Sequence, residues 1–208
     1  MPSPSYIHAY YRVHARIYDQ TRWLFLHGRG PAMDALDLRP GEEVCEVGCG
    51  TGLNFTSILA RIGPPPASLT GIDLSPDMLS RARRRVARDG AGRVRLELGT
   101  LAELGTGTQF DAILFAYSLS LMPDWEASLE RACAALRPGG RLVVLDFGDF
   151  SAWSLLRRPI LAWLRWHHVD TAQDPAGVLR SRLHEVSQTV CLGGWYRVIR
   201  GRNGRTPV

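Results

Sequence analysis

The stretch that most constrains the fold covers residues 44–52 and reads VCEVGCGTG. A short apolar run ends there in glycines at alternate positions, Gly48, Gly50 and Gly52, and a helical pattern follows from Leu53. Glycine permits a tight strand-to-helix turn and lets backbone amides approach a ligand, because no Cβ stands in the way. The pattern therefore predicts the first strand, loop and helix of a βαβ unit with a ligand-binding loop.

Two acids indicate which ligand fits this loop. Glu46 stands two residues before the first glycine, where its carboxylate can hold an amine while the loop amides hold a carboxylate. Asp73 closes the next predicted strand, where an acid can accept both ribose hydroxyls of an adenosine. A dinucleotide fingerprint, G-x-G-x-x-G, would need its third glycine at Leu53. The spacing favours S-adenosylmethionine over a nicotinamide or flavin dinucleotide.

Composition places the chain among single-domain globular proteins. Its 208 residues are 45% apolar, which is enough for one core, and no apolar run approaches the roughly 20 residues of a membrane-spanning helix. The first residues lack a signal-peptide pattern, and no cysteines have C-x-x-C spacing. We therefore expect a cytoplasmic protein with reduced thiols and no metal site.

The net charge of +5 is unevenly distributed along the chain. Residues 33–150 carry twelve arginines and sixteen acids, whereas residues 1–32 and 151–208 are basic and hold five of the six tryptophans. Arginine among tryptophans is typical of a membrane-facing surface. Nucleic acid is a weaker candidate partner, because no recognition motif accompanies the basic residues.

Apolar runs and helical periodicities alternate along residues 40–150, and a helix followed by two antiparallel strands is predicted for residues 175–200. The predicted parallel strands are 43–47, 69–73, 94–98, 110–115 and 141–147. Residues 137–140 are predicted to form the turn into the fifth strand, and residues 201–208 are expected to be frayed. The fourth is an almost unbroken apolar run, as expected of a strand buried on both faces. We predict one α/β domain with a doubly wound, Rossmann-like sheet of seven strands, five parallel plus a C-terminal antiparallel pair, and the ligand at the carboxyl ends of the strands.

Several motifs of residues 40–150 together resemble those of the class I S-adenosylmethionine-dependent methyltransferases. They are the glycine loop, Asp73, Gly99-Thr100-Leu101, FDAIL at residues 110–114 and RPGG at residues 137–140. The resemblance implies S-adenosylmethionine as cofactor and S-adenosylhomocysteine as product. It also implies the class I methyltransferase fold.

The same resemblance assigns the cofactor-binding residues. The three loop glycines would face the methionine moiety, Asp73 the ribose, and Met78 and Leu101 the adenine. Many members have an acid where this chain has Thr100, so a weaker adenine contact is expected. The full implied set is Glu46, Gly48, Cys49, Gly50, Gly52, Asp73, Leu74, Met78, Thr100, Leu101, Phe115 and Ala116.

The flanking segments resemble the bacterial betaine-lipid N-methyltransferases, in RIYDQTRWLFLHGR at residues 16–29 and YSLSLMPDW at residues 117–125. That family methylates the amine of diacylglycerylhomoserine three times. Tyr117 follows the fourth strand and is the candidate base, if a base is used. Tyr18 or Trp23 can stabilise the developing quaternary ammonium through a ring face, with packing as the alternative role. Arg22 and Arg29 suit the substrate's carboxylate or a phosphate.

Two flanking segments are expected to lie around the active site. Residues 1–32 are predicted to form a helical lid ended by Gly28, Gly30 and Pro31, with packing on the sheet as the alternative. Residues 151–168 are predicted to form an amphipathic helical segment, in which Pro159 starts a second helix and Arg158 and Arg165 lie to one side. Its predicted common face consists of Trp153, Leu156, Ile160, Trp163, Leu164 and His167. We expect this segment to meet the lipid substrate and the anionic inner face of the membrane, unless it is buried against the sheet.

Other functions remain open at this point. A phosphatidylethanolamine N-methyltransferase would share the membrane face and the chemistry and differ in the headgroup. A methyltransferase for a quinone or a small molecule would not need the basic flanks. A cofactor-binding protein without turnover is suggested only by Thr100.

Overall fold

The computed structural model describes residues 26–89, 92–105 and 107–204, apart from the side chains of residues 88 and 89. The strands are β1 (Glu43–Val47), β2 (Ser68–Asp73), β3 (Val94–Leu98), β4 (Phe110–Ala116), β5 (Leu136–Phe147), β6 (His184–Cys191) and β7 (Tyr196–Arg202). The α-helices are α1 (Arg29–Leu36), α2 (Phe55–Ile62), α3 (Pro76–Asp89), α4 (Trp125–Ala134), α5 (Ser154–Trp166) and α6 (Pro175–Arg182).

The seven strands form one sheet in the order β3-β2-β1-β4-β5-β7-β6. Strands β1 to β5 pair in parallel, and β7 pairs antiparallel with β5 and β6. The predicted fold class is confirmed. The strand order reverses between β1 and β4, and ligands of open α/β sheets bind in the crevice at the carboxyl ends of such neighbours.

Helices cover both faces of the sheet and bury two apolar layers. Helices α1, α2, α3 and α5 pack on one face, where Leu36, Ile58 and Leu79 are inaccessible to solvent. Helices α4 and α6 pack on the other face around Leu129 and Leu179. Because the sheet is buried on both sides, its central strands are continuous apolar runs, which is why they were recognisable in the sequence.

The turn predicted at residues 137–140 lies within β5 as an irregularity in its pairing with β4. Arg137 binds Asp111 at 2.6 Å, and the side chain of Asn203 donates to the carbonyls of Leu136 and Arg137. The expectation that residues 201–208 are frayed is therefore wrong for residues 201–203, since β7 continues to Arg202 and Asn203 is buried. These contacts join distant parts of the chain and have no local signature.

The boundary predicted at Gly28, Gly30 and Pro31 is the start of a helix, not its end. Gly28 is the N-cap of α1 with φ of 84°, and a Cβ there would come within 2.5 Å of the ring of Tyr196. Pro31 lies in the first turn, where a missing N–H is tolerated. Helix α1 packs into the core through Ala32 and Met33, and the lid predicted for residues 1–32 stays a prediction. The rest of that segment lies outside the described residues.

Residues 154–166 form one continuous helix with Pro159 inside it, and the predicted second helix beginning at Pro159 is not observed. The carbonyl that Pro159 leaves without its helical donor belongs to Leu155, whose side chain is 92% exposed, so water can reach that turn. Among the described helices, none is both long enough and apolar enough to cross a bilayer.

Candidate active site at the carboxyl edge of the sheet

The loop after β1 is shaped by glycines in the left-handed region. Gly48, Gly50 and Gly52 have φ of 69°, 57° and 74°, which L-residues with a side chain rarely adopt. A Cβ at Gly48 would lie 2.4 Å from Cβ of Ser118, and the Ser118 hydroxyl donates to the carbonyl of Val47 at 2.7 Å. The loop therefore has no side chains at these three positions, and it packs closely against the segment that follows β4.

Asp73 is fixed directly beside this loop. Its Oδ2 accepts the amide of Gly50 at 2.8 Å, and its Oδ1 accepts the amide of Ser75 at 2.8 Å. A carboxylate has about four acceptor positions, and these two amides occupy two of them. The two hydrogen bonds fix the orientation of the carboxylate at the end of β2, as a ribose-binding acid requires.

Glu46 is joined to a helix start that the sequence reasoning missed. The side chain of Asn54, which precedes α2, donates to Oε1 of Glu46 at 2.6 Å. Arg29, at the start of α1, in turn donates to Oδ1 of Asn54 at 2.5 Å. The three residues form a polar chain from the buried end of β1 to the rim of the glycine loop. The available signal for Asn54 was its place immediately after the loop, before an apolar helix.

The hydrogen-bonded series from Glu46 through Asn54 connects Arg29 to the amino-acid end of the predicted cofactor site. The sequence predicts that Arg29 suits the acceptor's carboxylate, but its partner Asn54 directly precedes α2, the helix that follows the glycine loop. Asn54 connects the Arg29 guanidinium to the Glu46 carboxylate, so one hydrogen-bonded chain carries a cation at one end and an anion at the other. That arrangement suits a ligand end with both an amine and a carboxylate.

We expect Arg29→Ala to weaken binding of S-adenosylhomocysteine by about tenfold, the loss of one charge-assisted hydrogen bond. Isothermal titration calorimetry measures this without any methyl acceptor. Arg61→Ala removes the same charge from the exposed end of α2 and is expected to leave the affinity unchanged. An unaltered Kd in Arg29→Ala, with a raised KM for the acceptor, would return Arg29 to the substrate side.

The residues predicted to meet the adenine lie at the ends of β2 and β3. Leu74 follows Asp73 and is 58% exposed, so its side chain is available to a ligand. Leu101 and Met78 are nearly buried, which leaves the backbone of Leu101 as its means of contact. The Thr100 hydroxyl donates to Glu103 at 3.1 Å and is therefore engaged within the protein.

The remaining predicted cofactor residues have buried side chains, which leaves their backbone for any contact with a ligand. Phe115 is fully buried in the layer beneath α4 and α6, and Ala116 ends β4 with 8% exposure. Cys49 is buried within the loop, and burial raises the pKa of its thiol far above the usual range, with the Glu46 carboxylate adding to the shift. Its thiol is therefore protonated at neutral pH.

Tyr117 is poorly suited to act as a base. Its hydroxyl donates to the carbonyl of His27 at 2.6 Å, and its ring packs against Phe147 at a centroid distance of 4.9 Å. Burial raises the pKa of Tyr117 well above its usual range, and the Asp146 carboxylate adds to this. Tyr117 also has φ of 56°, uncommon for a large side chain. The geometry favours a neutral tyrosine that anchors the chain before α1 over the strand ends.

Asp146 holds the segment beyond β4 in place. The carboxylate accepts the amide of Ser120 at 2.8 Å and its hydroxyl at 2.7 Å, and it also accepts the amide of Phe147. Complete burial raises the pKa of Asp146, opposed by these hydrogen bonds. Asp146 thus fixes the position of the edge that faces the acceptor, and no motif in the sequence had pointed to it.

The predicted substrate residues are only partly described. Tyr18, Arg22 and Trp23 lie outside the described residues. Trp163 and Arg165 are on α5 with exposed side chains, and the Trp163 ring packs against His167 at a centroid distance of 4.5 Å.

The carboxyl edge fits S-adenosylmethionine at each end. The bare glycine loop leaves room for backbone approach, the Glu46 chain suits the amino-acid end, and the fixed Asp73 carboxylate suits the ribose. When bound, this cofactor supplies an activated methyl group. The fold and the geometry of this site are those expected of a class I S-adenosylmethionine-dependent methyltransferase domain.

Comparison with known proteins supports this class. A family described as "Methyltransferase domain" matches residues 44–140. The demethylmenaquinone methyltransferase of Tropheryma whipplei is 41% identical over 138 residues, which are 64% of this chain and 55% of that protein. The chain therefore spans about half the length of the curated relative it matches.

Solved structures share the fold at lower identity. An O-methyltransferase family protein from Burkholderia thailandensis superposes with a TM-score of 0.73 at 22% identity, over 92% of this chain and 60% of that one. The N-methyltransferase NodS of Bradyrhizobium japonicum, in complex with S-adenosylhomocysteine, has a TM-score of 0.64 at 23% identity, over 85% and 87%. The ligand of that NodS structure, S-adenosylhomocysteine, is the product that the sequence motifs lead us to expect here.

Proposed function

We propose that this protein is an N-methyltransferase that methylates the headgroup amine of a membrane lipid, diacylglycerylhomoserine, in three successive steps to the betaine lipid. The observation that carries the proposal is the outer face of α5. This face, which we call the α5 outer face, consists of Leu155, Leu156, Pro159, Trp163 and Trp166.

The α5 outer face is the largest group of exposed apolar side chains among the described residues. Leu155 is 92% and Trp166 76% exposed, while the opposite side of the helix packs into the core through Leu164. Helix α5 carries three arginines and no acid. Apolar and tryptophan side chains beside arginines suit the boundary between acyl chains and anionic headgroups. This supports a peripheral position at the inner face of the membrane.

An open cleft of about 540 Å³ supports an amine as the methyl acceptor. It lies between α4, α6 and the chain that follows α5, and the amide of Asp170 joins this chain to the carbonyl of Ser120 at 2.9 Å. Three carboxylates and an indole suit a group that becomes a cation. The lining residues are Trp125, Glu126, Asp170, Ala172, Gln173, Asp174, Gly177 and Val178.

The chemistry asks little of a proton acceptor. Methyl transfer from a sulfonium to an amine is an in-line displacement, for which the protein aligns the two groups and excludes water. The attacking amine must be neutral, and its proton can be lost to water before the methyl transfer. This agrees with Tyr117 acting as an anchor instead of a base, and with Tyr18 and Trp23 as proposed ring partners of the ammonium product.

The decisive experiment offers purified protein and S-adenosylmethionine three acceptors in separate anionic vesicles: diacylglycerylhomoserine, phosphatidylethanolamine and a demethylated quinone. Mass spectrometry follows the lipids. Successive methyl additions to diacylglycerylhomoserine alone are expected. Additions only to phosphatidylethanolamine would keep the chemistry and change the headgroup. Additions only to the quinone would overturn the amine proposal.

A quinone is the second candidate acceptor, because the Tropheryma whipplei relative is named for that activity and is 41% identical over its matched part. A quinone has no amine, so it gives no role to the carboxylates of the cleft. Glu126→Gln therefore separates the two candidates. It is expected to raise KM several-fold for a lipid amine and to leave quinone methylation unchanged, with Glu130→Gln on the exposed side of α4 as the matched control.

A further inference from the structure

An adenine base attached to a ribose at Asp73 must extend toward β3. The glycine loop occupies the β1 side, because the amide of Gly50 is bound to the Asp73 carboxylate. On the other side, the amide of Gly99 donates to the carbonyl of Asp73 at 3.1 Å, and Asp73 is paired with Leu98 in the sheet. The chain that follows β3 is therefore the nearest wall for a base attached to a ribose at Asp73.

Exposed apolar side chains that could contact a flat base lie beside Asp73, at the ends of β2 and β3. Leu74 and Leu98 are 58% and 57% exposed, and they are two of the eight large apolar side chains that the described residues leave exposed. They stand after β2 and at the end of β3, on either side of the Asp73–Gly99 hydrogen bond. Two leucines of this exposure suit an aromatic ring that removes them from water.

The Glu103 carboxylate lies at the edge of the surface formed by Leu74 and Leu98. Residues 101–104 form a single 3₁₀ turn in which the amide of Glu103 donates to the carbonyl of Thr100 at 3.1 Å. The Thr100 hydroxyl donates to Oε1 of Glu103, also at 3.1 Å. A Cβ on Gly99 would come within 2.1 Å of Oε2 of Glu103, so the carboxylate lies against bare backbone.

We propose that Glu103 recognises the exocyclic amino group of the adenine, in place of an acid at position 100. An ionised carboxylate only accepts hydrogen bonds, so it pairs with the amino group of adenine and repels the oxygen that replaces it in hypoxanthine. Thr100 has already committed its proton to Glu103 and acts as the residue that positions it. The proposal rests on the cofactor site and is independent of the methyl acceptor.

The test compares the affinities of S-adenosylhomocysteine and S-inosylhomocysteine by calorimetry. The unchanged protein is expected to prefer the adenine compound by about 10- to 100-fold, as for a hydrogen bond to a charged group. In Glu103→Gln the preference should fall to about threefold or less, because an amide can pair with either base edge. In Glu103→Ala the adenine compound should bind more weakly, and the preference should be equally reduced.

Glu97→Gln is the matched control, since it removes a carboxylate from a partly exposed position on β3, where Glu97 pairs with Arg95. It should retain the full preference for adenine. An undiminished preference in both Glu103 variants, with unchanged melting temperatures, would overturn the proposal while leaving the cofactor site intact. Failure of the unchanged protein to bind either compound would overturn the cofactor site, and this proposal with it, whatever the lipid assay shows.

Discussion

Replacing Asp73 by alanine is expected to raise the Kd for S-adenosylmethionine by at least about 100-fold. A carboxylate that accepts two ribose hydroxyls makes two charge-assisted hydrogen bonds, each of about 1.5–3 kcal/mol. Their combined loss of about 3–6 kcal/mol corresponds to two to four decades in Kd. Calorimetry with S-adenosylhomocysteine measures the change directly, and methyl transfer should be lost at cofactor concentrations that saturate the unchanged protein.

Two further variants separate ribose binding from the structural role of Asp73. Its carboxylate also holds the amides of Gly50 and Ser75, so Asp73→Ala should lower the melting temperature by a few degrees. Asp73→Asn keeps one acceptor oxygen, so its affinity for S-adenosylhomocysteine should lie between those of the unchanged protein and of Asp73→Ala. Asp77→Ala removes a neighbouring exposed acid from the first turn of α3 and should bind normally. An Asp73→Ala protein with normal affinity would contradict the site.

The central fold could be predicted because its signals are local. Strands β1 and β3 were predicted to the residue. Strand β1 is a short buried apolar run before the glycine loop, whereas β3, at the edge of the sheet, alternates apolar and charged residues. The glycine loop was equally clear, because the left-handed backbone of Gly48 restricts the sequence at that position. Once the strands were placed, the carboxyl edge followed from topology alone.

The polar network of the site could not be predicted in the same way. Asn54 and Arg29 are 25 positions apart, and Ser120 and Asp146 are 26 apart. Each pair meets only because the sheet brings strand ends together. A single asparagine or serine in a sequence gives no sign of such a partner, so the chain from Glu46 to Arg29 and the role of Asp146 emerged only from the structure.

Helix α5 illustrates a different limit. Its periodicity predicted one apolar face containing Leu156, Trp163 and Leu164, but the helix is apolar on two sides. The side with Ile160 and Leu164 packs into the core, whereas Leu156 and Trp163 belong to the exposed side with Leu155 and Trp166. Periodicity identifies a stripe of apolar residues, and tertiary packing decides which stripe is turned inward.

The exposed stripe gives the second large prediction. We expect Trp163→Ser together with Trp166→Ser to weaken binding to anionic vesicles by about 100-fold. Inserting a large apolar side chain into the interface contributes about 1.5–3 kcal/mol, and two partly inserted indoles together contribute about 3 kcal/mol. Co-sedimentation with vesicles of increasing lipid concentration measures the partition coefficient, and the Kd for S-adenosylhomocysteine should be unchanged.

The arginines of the same helix should act differently. Arg158→Ala together with Arg165→Ala removes about 1 kcal/mol per residue, so binding to anionic vesicles should fall by about 10- to 30-fold and binding to neutral vesicles should not change. The tryptophan variant should bind poorly to both kinds of vesicle. Val190→Ser, at a half-exposed position on β6, is the control for loss of an exposed apolar side chain.

This pair of variants distinguishes a membrane from another occupant of the α5 outer face. Unchanged sedimentation of the tryptophan variant would contradict membrane docking. If the unchanged protein were instead a dimer in gel filtration and the variant a monomer, a second copy of the chain would occupy the face. We expect the folded, cofactor-binding tryptophan variant to lose vesicle binding and lipid methylation. It should still methylate a detergent-dispersed substrate. That combination would show that the α5 outer face is needed to reach lipid in a membrane.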